Sequence, residues 1–358
     1  MSRIAIFSPA PSRLPCGNNT TLRRISSSLR AQGHHVEAVH LGDARANDSA
    51  WIDGSPLSRF DILHALHAFK TGPRVLETAR ALDIPYVVSA TGTDLNEDLE
   101  CPERRGTVLD VLRNAAAVLV PSPDLEEMIR GRARVLTPCV VVPKGVEVED
   151  LRDREDPARV VFLHVGGWRK VKNNLFALEP LAKLVREIPA VELRFLGPVI
   201  DPECHARWER IRDRYPFAVD GGLVEPEGMA AEFAAASVVL NTSHSEGGAN
   251  AILEAMAFAK PVLASNVPGN AALVRHDDSW WETSTGVLYR TERGEGGGTV
   301  GIPFHDPEDF HRKARRLALE KELRRAIGSS ARRFVMAEHS PLGELRKILE
   351  AYAIAGVA

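Results

Sequence analysis

Short apolar runs alternate with amphipathic segments along the whole chain. The runs are rich in β-branched residues and span about four to eight positions each, as buried strands do, whereas the segments between them repeat apolar residues at helical spacing. Such alternation predicts an α/β fold with parallel sheets. The strands predicted in the first half are RIAIFS, HVEAVHL, FDILHAL, PYVVSA, AAVLVP and CVVVP, and those in the second half are VVFLHV, VELRFL, FAVDGGLV, SVVLNTS, KPVLAS and TGVLY.

The segment LRRISSSLRAQG illustrates the predicted helices. It places Leu22, Ile25 and Leu29 on one helical face, and Gly33 follows where a helix would end. Together with the run RIAIFS before it, the segment predicts a unit of strand, loop and helix.

The alternation is interrupted at the charged stretch EVEDLRDREDPAR, residues 147–159. We interpret this stretch as a boundary and predict two Rossmann-like, doubly wound domains, 1–150 and 151–335. The remaining segment, 336–358, contains the helix LGELRKILEAYAIA, whose apolar side predicts packing against the first domain. The residues on that side are Leu342, Leu345, Leu349 and Tyr352.

The composition is that of a globular protein. Of 358 residues, 44% are hydrophobic and 26% are charged, which is enough apolar material for two cores. The net charge of -3, from 45 basic and 48 acidic residues, offers no overall excess of positive charge to nucleic acid or an anionic membrane. No apolar run approaches the roughly 20 residues of a membrane span, and the first residues predict a strand rather than a signal peptide, so we expect a cytoplasmic protein.

Three further features have ordinary interpretations. The cysteines Cys16, Cys101, Cys139 and Cys204 lie far apart, which predicts free thiols rather than a zinc site or a redox pair. The glycine-rich stretch 294–301 lacks the Lys-Ser or Lys-Thr pair of a phosphate loop, so we predict a flexible surface loop. Arginine clusters at 312–316, 324–325 and 332–333 predict solvated helix faces, with peripheral membrane or nucleic-acid contact as the alternative.

The stretch SHSEGGANAILEAMAFAKP contains two glutamates, Glu246 and Glu254, separated by seven residues. The preceding SVVLNTS is a predicted strand, SEGG a turn and NAILEAMAFA a helix. The helix N-terminus favours an anion, and glycine lets it approach closely. Glutamates beside an anion site can accept hydrogen bonds from hydroxyls elsewhere on the ligand, a layout that a nucleotide sugar provides. The predicted N-terminal residues are Gly247, Gly248, Ala249 and Asn250.

The sequence GGWRKVKNN supplies the cationic complement after the predicted strand VVFLHV. Arg169 and Lys172 would lie at the carboxyl end of a parallel strand, where such sheets bind ligands. Arginine grips phosphate oxygens with two donors and lysine adds a compact charge, so the two could stabilise a departing diphosphate. The ordinary alternative is a helix-start carboxylate, a solvated helix glutamate and surface charge.

These residues resemble the family 4 retaining glycosyltransferases of the GT-B fold, two Rossmann-like domains facing each other across a cleft. The family's Glu, seven residues, Glu motif corresponds to E246-GGANAIL-E254, followed by AMAFAKPVLASNVPGN. GGWRKVK is similar to its diphosphate-binding loop. The resemblance covers the whole chain and is strongest from Val160 to Val274.

The resemblance implies the roles of the donor site. Arg169 and Lys172 would bind the diphosphate and Glu246 the donor sugar, and these three are the predicted catalytic residues. Gly247 and Gly248 amides would bind phosphates, and Glu254 the ribose hydroxyls. The predicted donor-binding residues are Gly247, Gly248, Ala249, Asn250, Glu254, Val224 beside the base, and Gly269 and Asn270 of the loop facing the sugar.

The resemblance also implies that the N-terminal domain contacts the acceptor. Its first loop would be formed by Gly17, Asn18 and Asn19, and the stretch TGTD matches a family loop that commonly has His where Thr91 stands. His67 and Lys70 end a predicted strand and would face the cleft, with a buried structural His67 as the alternative. The predicted acceptor or cleft residues are Gly17, Asn18, Asn19, His67, Lys70, Thr91, Thr93 and Asp94.

The predicted function is transfer of a hexosyl group, with retention, from a nucleoside diphosphate sugar, UDP-linked, to an unidentified acceptor, without metal or other cofactor. The motifs SPAP, GNNTT, LHAFK, SATGTDLNED, WRKVKN and SEGGAN are also similar to the glycosyltransferase-one-domain-containing group and to the selenosugar synthases of selenoneine biosynthesis. A first alternative is therefore a selenosugar synthase using selenophosphate and a UDP-sugar. The departure at Thr91 motivates a second, a non-catalytic nucleotide-sugar-binding protein.

Overall fold

The computed structural model describes residues 1–43, 51–52, 55–131, 133–148, 154–279, 281, 284–292 and 304–357. They form two compact units. Unit 1 comprises Met1–Gly145 and His339–Ala358, and unit 2 comprises Val146–Glu338. The chain thus leaves unit 1 after Gly145 and returns at His339, each within a few residues of a predicted boundary.

Unit 1 contains a six-stranded parallel sheet of order β2-β1-β5-β6-β7-β8. Its strands are β1 Arg3–Ser8, β2 His35–His40, β5 Ile62–Leu66, β6 Tyr86–Ser89, β7 Ala117–Val120 and β8 Cys139–Val141, and the short strands β3 Trp51–Ile52 and β4 Ser55–Pro56 form a separate antiparallel pair. The helices between them are α1 Gly17–Ala31, α2 Gly72–Leu82, α3 Pro102–Asn114 and α4 Pro123–Gly131.

Unit 2 contains a second six-stranded parallel sheet, of order β11-β10-β9-β12-β13-β14. Its strands are β9 Val160–Val165, β10 Val191–Leu196, β11 Ala218–Asp220, β12 Val238–Asn241, β13 Val262–Ser265 and β14 Val287–Tyr289, and β15 Thr291–Glu292 pairs antiparallel with β16 Phe304–His305. Its helices are α5 Leu178–Glu187, α6 Pro202–Ile211, α7 Pro226–Ala235, α8 Asn250–Ala257, α9 Pro268–Ala271, α10 Pro307–Leu319 and α11 Lys321–Glu338.

The last helix, α12 Pro341–Ile354, packs within unit 1. Its residues Leu345, Ile348 and Tyr352 join the apolar core beside α1. An ion pair reinforces this packing, because Arg24 of α1 donates to both carboxylate oxygens of Glu344 at 2.6 and 2.8 Å. The prediction was wrong for Leu342, which lies in the first turn and is 66% exposed.

Each sheet buries apolar side chains on both faces, as is usual for parallel sheets covered by helices. Alternate residues of β1 show this clearly: Ala5 and Phe7 belong to one core cluster, and Ile4 and Ile6 to another. The same alternation divides unit 2 into two clusters. With helices on both faces, the carboxyl edge of each sheet is left for the loops that carry polar residues.

Several local predictions need correction. The run FAVDGGLV is a strand only over Ala218–Asp220, because Gly221 ends the strand and Gly222 adopts a left-handed φ of 67°. The pairs β3–β4 and β15–β16 were not predicted. The stretch 294–301 and residues 149–153 of the boundary segment lie outside the described residues. Among the described helices, none combines the length and the apolarity needed to span a bilayer.

Candidate functional site

The candidate site lies in unit 2, where the strand order reverses. From β9 the chain proceeds outward through β10 and β11, and then returns to the other side of β9 as β12. Loops after two such adjacent strands diverge at the carboxyl edge of the sheet and leave a crevice that binds ligands in open α/β sheets. The loop after β9 carries Arg169 and Lys172, and the loop after β12 carries Glu246 and leads into α8.

The loop after β9 is anchored by Trp168. This side chain is 1% exposed and contacts the rings of Phe195 and Trp208, and its backbone N–H donates to Pro198 O at 2.9 Å. The next residue, Arg169, is half-buried, and its Nε is buried without a hydrogen-bond partner among the described residues. A buried guanidinium donor of this kind is suited to an anionic ligand.

Lys172 and Glu246 form an ion pair at the centre of the site. Lys172 Nζ donates to Glu246 Oε1 at 2.5 Å, and the same oxygen accepts from Ser243 Oγ at 2.7 Å and Asn241 Nδ2 at 3.1 Å. Burial acts to raise the pKa of Glu246, but the charge of Lys172 and these hydrogen bonds outweigh it and lower that pKa to about 2. Glu246 is therefore a fixed carboxylate at neutral pH.

Thr242 fixes the two loops against each other. Its hydroxyl lies 3.0 Å from Lys172 O and 3.1 Å from Asn173 O, and His164 Nε2 lies 2.9 Å away. One hydroxyl hydrogen can serve these carbonyls while the oxygen accepts from His164. Burial, and then the charge of Lys172, lower the pKa of His164 to about 4, so this imidazole is neutral. The backbone that carries Lys172 is thus held from both strands.

Helix α8 begins directly after this loop, as predicted. Gly247 and Gly248 precede it, and Gly248 has a φ of 101°, a conformation that favours glycine. The positive end of the helix dipole lies at Asn250, next to the loop carrying Glu246. Glu254 is half-buried in the second turn. The structure therefore brings the two glutamates and the helix N-terminus to one side of the sheet.

Gly269 and Asn270 lie in the short helix α9 rather than in the predicted loop, and they pack against Glu246. A Cβ at Gly269 would lie 2.0 Å from Glu246 O, so the two backbones approach more closely than any other residue permits. Asn270 is fully buried, and its Nδ2 donates to Ser265 O at 3.0 Å and Asn241 Oδ1 at 3.2 Å. The amide nitrogen of Asn270 therefore links α9 to the ends of β12 and β13 and is already used within the protein.

The predicted base contact, Val224, lies in the loop between β11 and α7. This loop follows the strand two positions from β9 at the same carboxyl edge. Val224 is partly buried against the core of unit 2. Its role toward a base stays a prediction.

The prediction that Gly17, Asn18 and Asn19 form a loop in unit 1 is wrong. Gly17, Asn18 and Asn19 form the first turn of α1. Asn19 is buried, with its Nδ2 donating to Pro11 O at 2.7 Å and Leu14 O at 2.8 Å while its Oδ1 accepts from Ser8 Oγ. These bonds fold the chain between β1 and α1, and the sequence pattern missed the helix start because no charged or apolar residue marks it.

His67 is buried in unit 1, which agrees with the structural alternative. It is 1% exposed, has a φ of 92°, and its Nε2 lies 3.0 Å from Thr93 Oγ1. The fully buried carboxylate of Asp94 accepts from the backbone N–H groups of Thr91 and Ala68 at 2.9 and 2.8 Å. Lys70, by contrast, is exposed. The loops after β5 and β6 are thus tied together by Asp94 and His67.

Sequence reasoning missed the polar residues beneath the site. Asn241 ends β12, and Thr242, Ser243 and His244 follow it; the first three of these four residues are buried. The run of polar side chains closing an apolar strand was a signal, because buried polar groups need partners. It did not identify those partners, which come from distant parts of the chain.

A possible metal-ligand group lies elsewhere in unit 2. Among the described residues, His205, Glu209 and Asp220 bring ligand atoms within 4.8 Å of one another. His205 Nε2 already lies 2.9 Å from Asp220 Oδ2. The group belongs to α6 and β11, not to the loops that carry Arg169, Lys172 and Glu246.

The two Rossmann-like units have the GT-B fold of glycosyltransferases, and the candidate ligand site lies at the sheet edge of the second unit. Residues 159–318 match the family described as Glycosyl transferases group 1. The chain is 28% identical over 347 residues to "Glycosyltransferase 1 domain-containing protein 1" of Xenopus tropicalis, covering 92% of this chain and 91% of that protein. It is 26% identical over 233 residues to a sulfoquinovosyl transferase of Arabidopsis thaliana, covering 62% of this chain and 41% of that one.

Solved structures share the fold over the whole chain. Sucrose-phosphate synthase from Thermosynechococcus elongatus superposes with a TM-score of 0.78 at 18% identity, covering 99% of this chain and 98% of the other. Anabaena HepE, in complex with UDP and glucose, gives a TM-score of 0.74 at 15% identity, covering 99% and 100%. HepE has also been solved with UDP-glucose.

Proposed function

We propose that this protein is a retaining glycosyltransferase that transfers a hexosyl group from a UDP-sugar to an acceptor hydroxyl. The group 1 family match supports glycosyl transfer from an activated sugar. The UDP and UDP-glucose complexes of HepE support UDP as the nucleotide.

The observation that carries the proposal is the Lys172–Glu246 pair at the strand reversal. An ammonium group has three donors, and one of them goes to Glu246. The other two N–H groups of Lys172 can donate to phosphate oxygens, and Arg169 Nε is a further donor. The positive end of the α8 dipole, at the helix N-terminus, also favours the negative charge of a diphosphate. These groups oppose the charge that develops on a departing diphosphate, which is the largest electrostatic demand of the reaction.

Glu246 is proposed to bind the sugar rather than to attack it. A carboxylate with a pKa near 2 is a weak base and a weak nucleophile. One of its oxygens already accepts three hydrogen bonds, so the carboxylate is fixed in orientation to accept from donor-sugar hydroxyls. Glu254, in the second turn of α8, is proposed to accept from the ribose hydroxyls.

The proposed reaction breaks the bond between the anomeric carbon and the diphosphate oxygen and forms a bond from the acceptor oxygen on the same face. The acceptor proton passes to the leaving diphosphate, whose charge is held by Arg169 and Lys172. No protein nucleophile takes part. The acceptor replaces the diphosphate on the same face of the anomeric carbon, so the anomeric configuration is retained. Fixed positive charge performs the task of a metal here, so we propose that none is required.

A screen of UDP-sugars against acceptors, read by mass spectrometry, tests this proposal. Simple alcohols, sugar phosphates and selenophosphate should all be included. We expect UDP release with a glycosylated hydroxyl product, and NMR of the fresh product should give the anomer of the donor. An inverted anomer would exclude the mechanism. Product formed from selenophosphate alone would favour the selenosugar synthase, and tight UDP-sugar binding without turnover would favour a non-catalytic binding protein.

A further inference from the structure

His244 is tied to the loop that carries the predicted phosphate-binding cations. It lies two residues before Glu246. Its backbone N–H donates to Val171 O at 2.9 Å, directly beside Lys172. The imidazole is half-buried. A side chain in this position lies next to the proposed diphosphate site, yet neither the sequence motifs nor the proposed reaction assigns it a role.

The His244 ring begins a chain of hydrogen bonds into the core. Its Nδ1 lies 2.9 Å from His305 Nε2, and His305 Nδ1 lies 2.6 Å from the hydroxyl of Tyr289. Tyr289 is fully buried, and Phe176 stacks on it with ring centroids 5.4 Å apart. Aromatic rings therefore shield the inner end of the chain from water, and its polar atoms must satisfy one another.

The direction of these hydrogen bonds depends on Tyr289, whose hydroxyl has two partners, His305 and Ser265. Burial raises the pKa of Tyr289 well above its ordinary value, so its hydroxyl keeps its hydrogen and needs an acceptor. Ser265 Oγ already donates to Ser243 O at 2.7 Å and accepts from Asn270 Nδ2 at 3.0 Å, which favours His305 Nδ1 as the acceptor for Tyr289. Burial also lowers the pKa of His305 to about 4 and lowers that of His244, so both rings are neutral. If Tyr289 donates to His305 Nδ1, then His305 donates from Nε2 to His244 Nδ1, and the hydrogen of His244 stands on Nε2.

We propose that Tyr289 and His305 hold His244 as the Nε2–H tautomer, and that this N–H donates to the diphosphate of the sugar donor. In this tautomer Nε2, the His244 nitrogen that does not contact His305, can donate and cannot accept, so it fits a group that only accepts, such as a phosphate oxygen. Its neutrality adds a donor without placing a further positive charge beside Lys172. Tyr289 and His305 act as positioning residues, and the inference rests on the proposed function of the site.

Nitrogen NMR of the imidazoles tests the tautomer directly. Long-range proton–nitrogen spectra distinguish the Nδ1–H and Nε2–H forms, and the signals lost in the His244→Gln variant assign His244 among the twelve histidines. We expect His244 as the Nε2–H form in the wild type. Tyr289→Phe removes the donor at the buried end, so it should give mixed tautomers at His244. A wild-type His244 protonated on Nδ1 would overturn the proposal.

Calorimetry with UDP and uridine tests the contact. A glutamine amide nitrogen can occupy the position of Nε2, whereas an asparagine nitrogen reaches only as far as Nδ1. His244→Asn should therefore weaken UDP binding by about tenfold or more, the usual effect of losing a hydrogen bond to a charged group. His244→Gln should stay within about threefold of the wild type, and uridine affinity should be the same in all three proteins.

The outcomes separate the two levels of the proposal. If the wild type binds UDP and both the His244→Asn and His244→Gln variants bind it with the wild-type affinity, His244 does not contact the diphosphate. In that case only this inference fails. An equal loss of uridine and UDP affinity in His244→Asn would indicate a structural role and would likewise overturn it. If the wild type binds neither UDP nor any UDP-sugar, the proposed function fails as well.

Discussion

Replacing Lys172 by methionine tests the ion pair at the centre of the site. Methionine has a similar length and no charge, so the change leaves the carboxylate of Glu246 buried with its neutral partners Asn241 and Ser243. The two charged side chains are only 15% and 10% exposed, so water cannot replace the lost partner well. Removing one member of a buried pair commonly costs about 3–5 kcal/mol.

The pKa of Glu246 gives an independent magnitude. It falls from 4.5 to about 2 in the folded protein. Each pKa unit is worth about 1.4 kcal/mol, so the carboxylate is favoured by about 3 kcal/mol, to which Lys172 is the largest favourable contributor. We therefore expect Lys172→Met to lower the free energy of unfolding by about 3 kcal/mol at pH 7.

The loss should depend on pH. In the wild type the pKa of Glu246 is depressed, so its stabilising contribution is present above 4.5 and is lost only as the pH falls toward about 2. In Lys172→Met, burial is no longer opposed by the lysine and the pKa rises. The variant carboxylate then takes up a proton near pH 4 and its unpaired charge disappears. The difference between wild type and variant should shrink from pH 7 to pH 4.

Urea denaturation followed by tryptophan fluorescence measures this difference. Trp168, Trp208 and Trp281 are buried in unit 2 and report its unfolding. Lys170→Met is the matched control, because Lys170 is exposed in the same loop and should change stability by less than about 0.5 kcal/mol. An equal loss at pH 7 and pH 4, or a control as destabilised as Lys172→Met, would refute the reasoning.

Three further predictions concern binding, packing and metal. Arg169→Ala removes a buried donor and should weaken UDP binding by about 1.5–3 kcal/mol in calorimetry, whereas Lys170→Ala should change it little; unchanged affinity in a folded Arg169→Ala protein would mean that the phosphates lie elsewhere. Gly269→Ala must displace Glu246 O and should destabilise unit 2 by more than about 1 kcal/mol in thermal unfolding. Gly106→Ala, whose new carbon meets no atom of the described residues within 4 Å, should be neutral or stabilising. EDTA should leave transferase activity intact, and activity that is lost with EDTA and restored by magnesium or manganese would contradict the metal-free mechanism.

Part of the candidate site was predictable because its signals are local. The order of strand, glycine turn and helix around Glu246 follows from composition and periodicity within about twenty residues. The cations after β9 followed from the preference of ligands for the carboxyl ends of parallel strands. Asn19 was misplaced because its local setting, a glycine and polar residues, is typical of both loops and helix starts.

The sequence by itself determined the alternation of strands and helices and the chemical character of the loops. Only the tertiary structure decided which loops meet. Lys172 and Glu246 are 74 residues apart and His244 and His305 are 61 apart, and both contacts depend on strand order. Strand order arises from packing and chain crossover over long distances, so no local pattern encodes it. The sequence therefore identified the charged groups, and the fold determined which of them are paired.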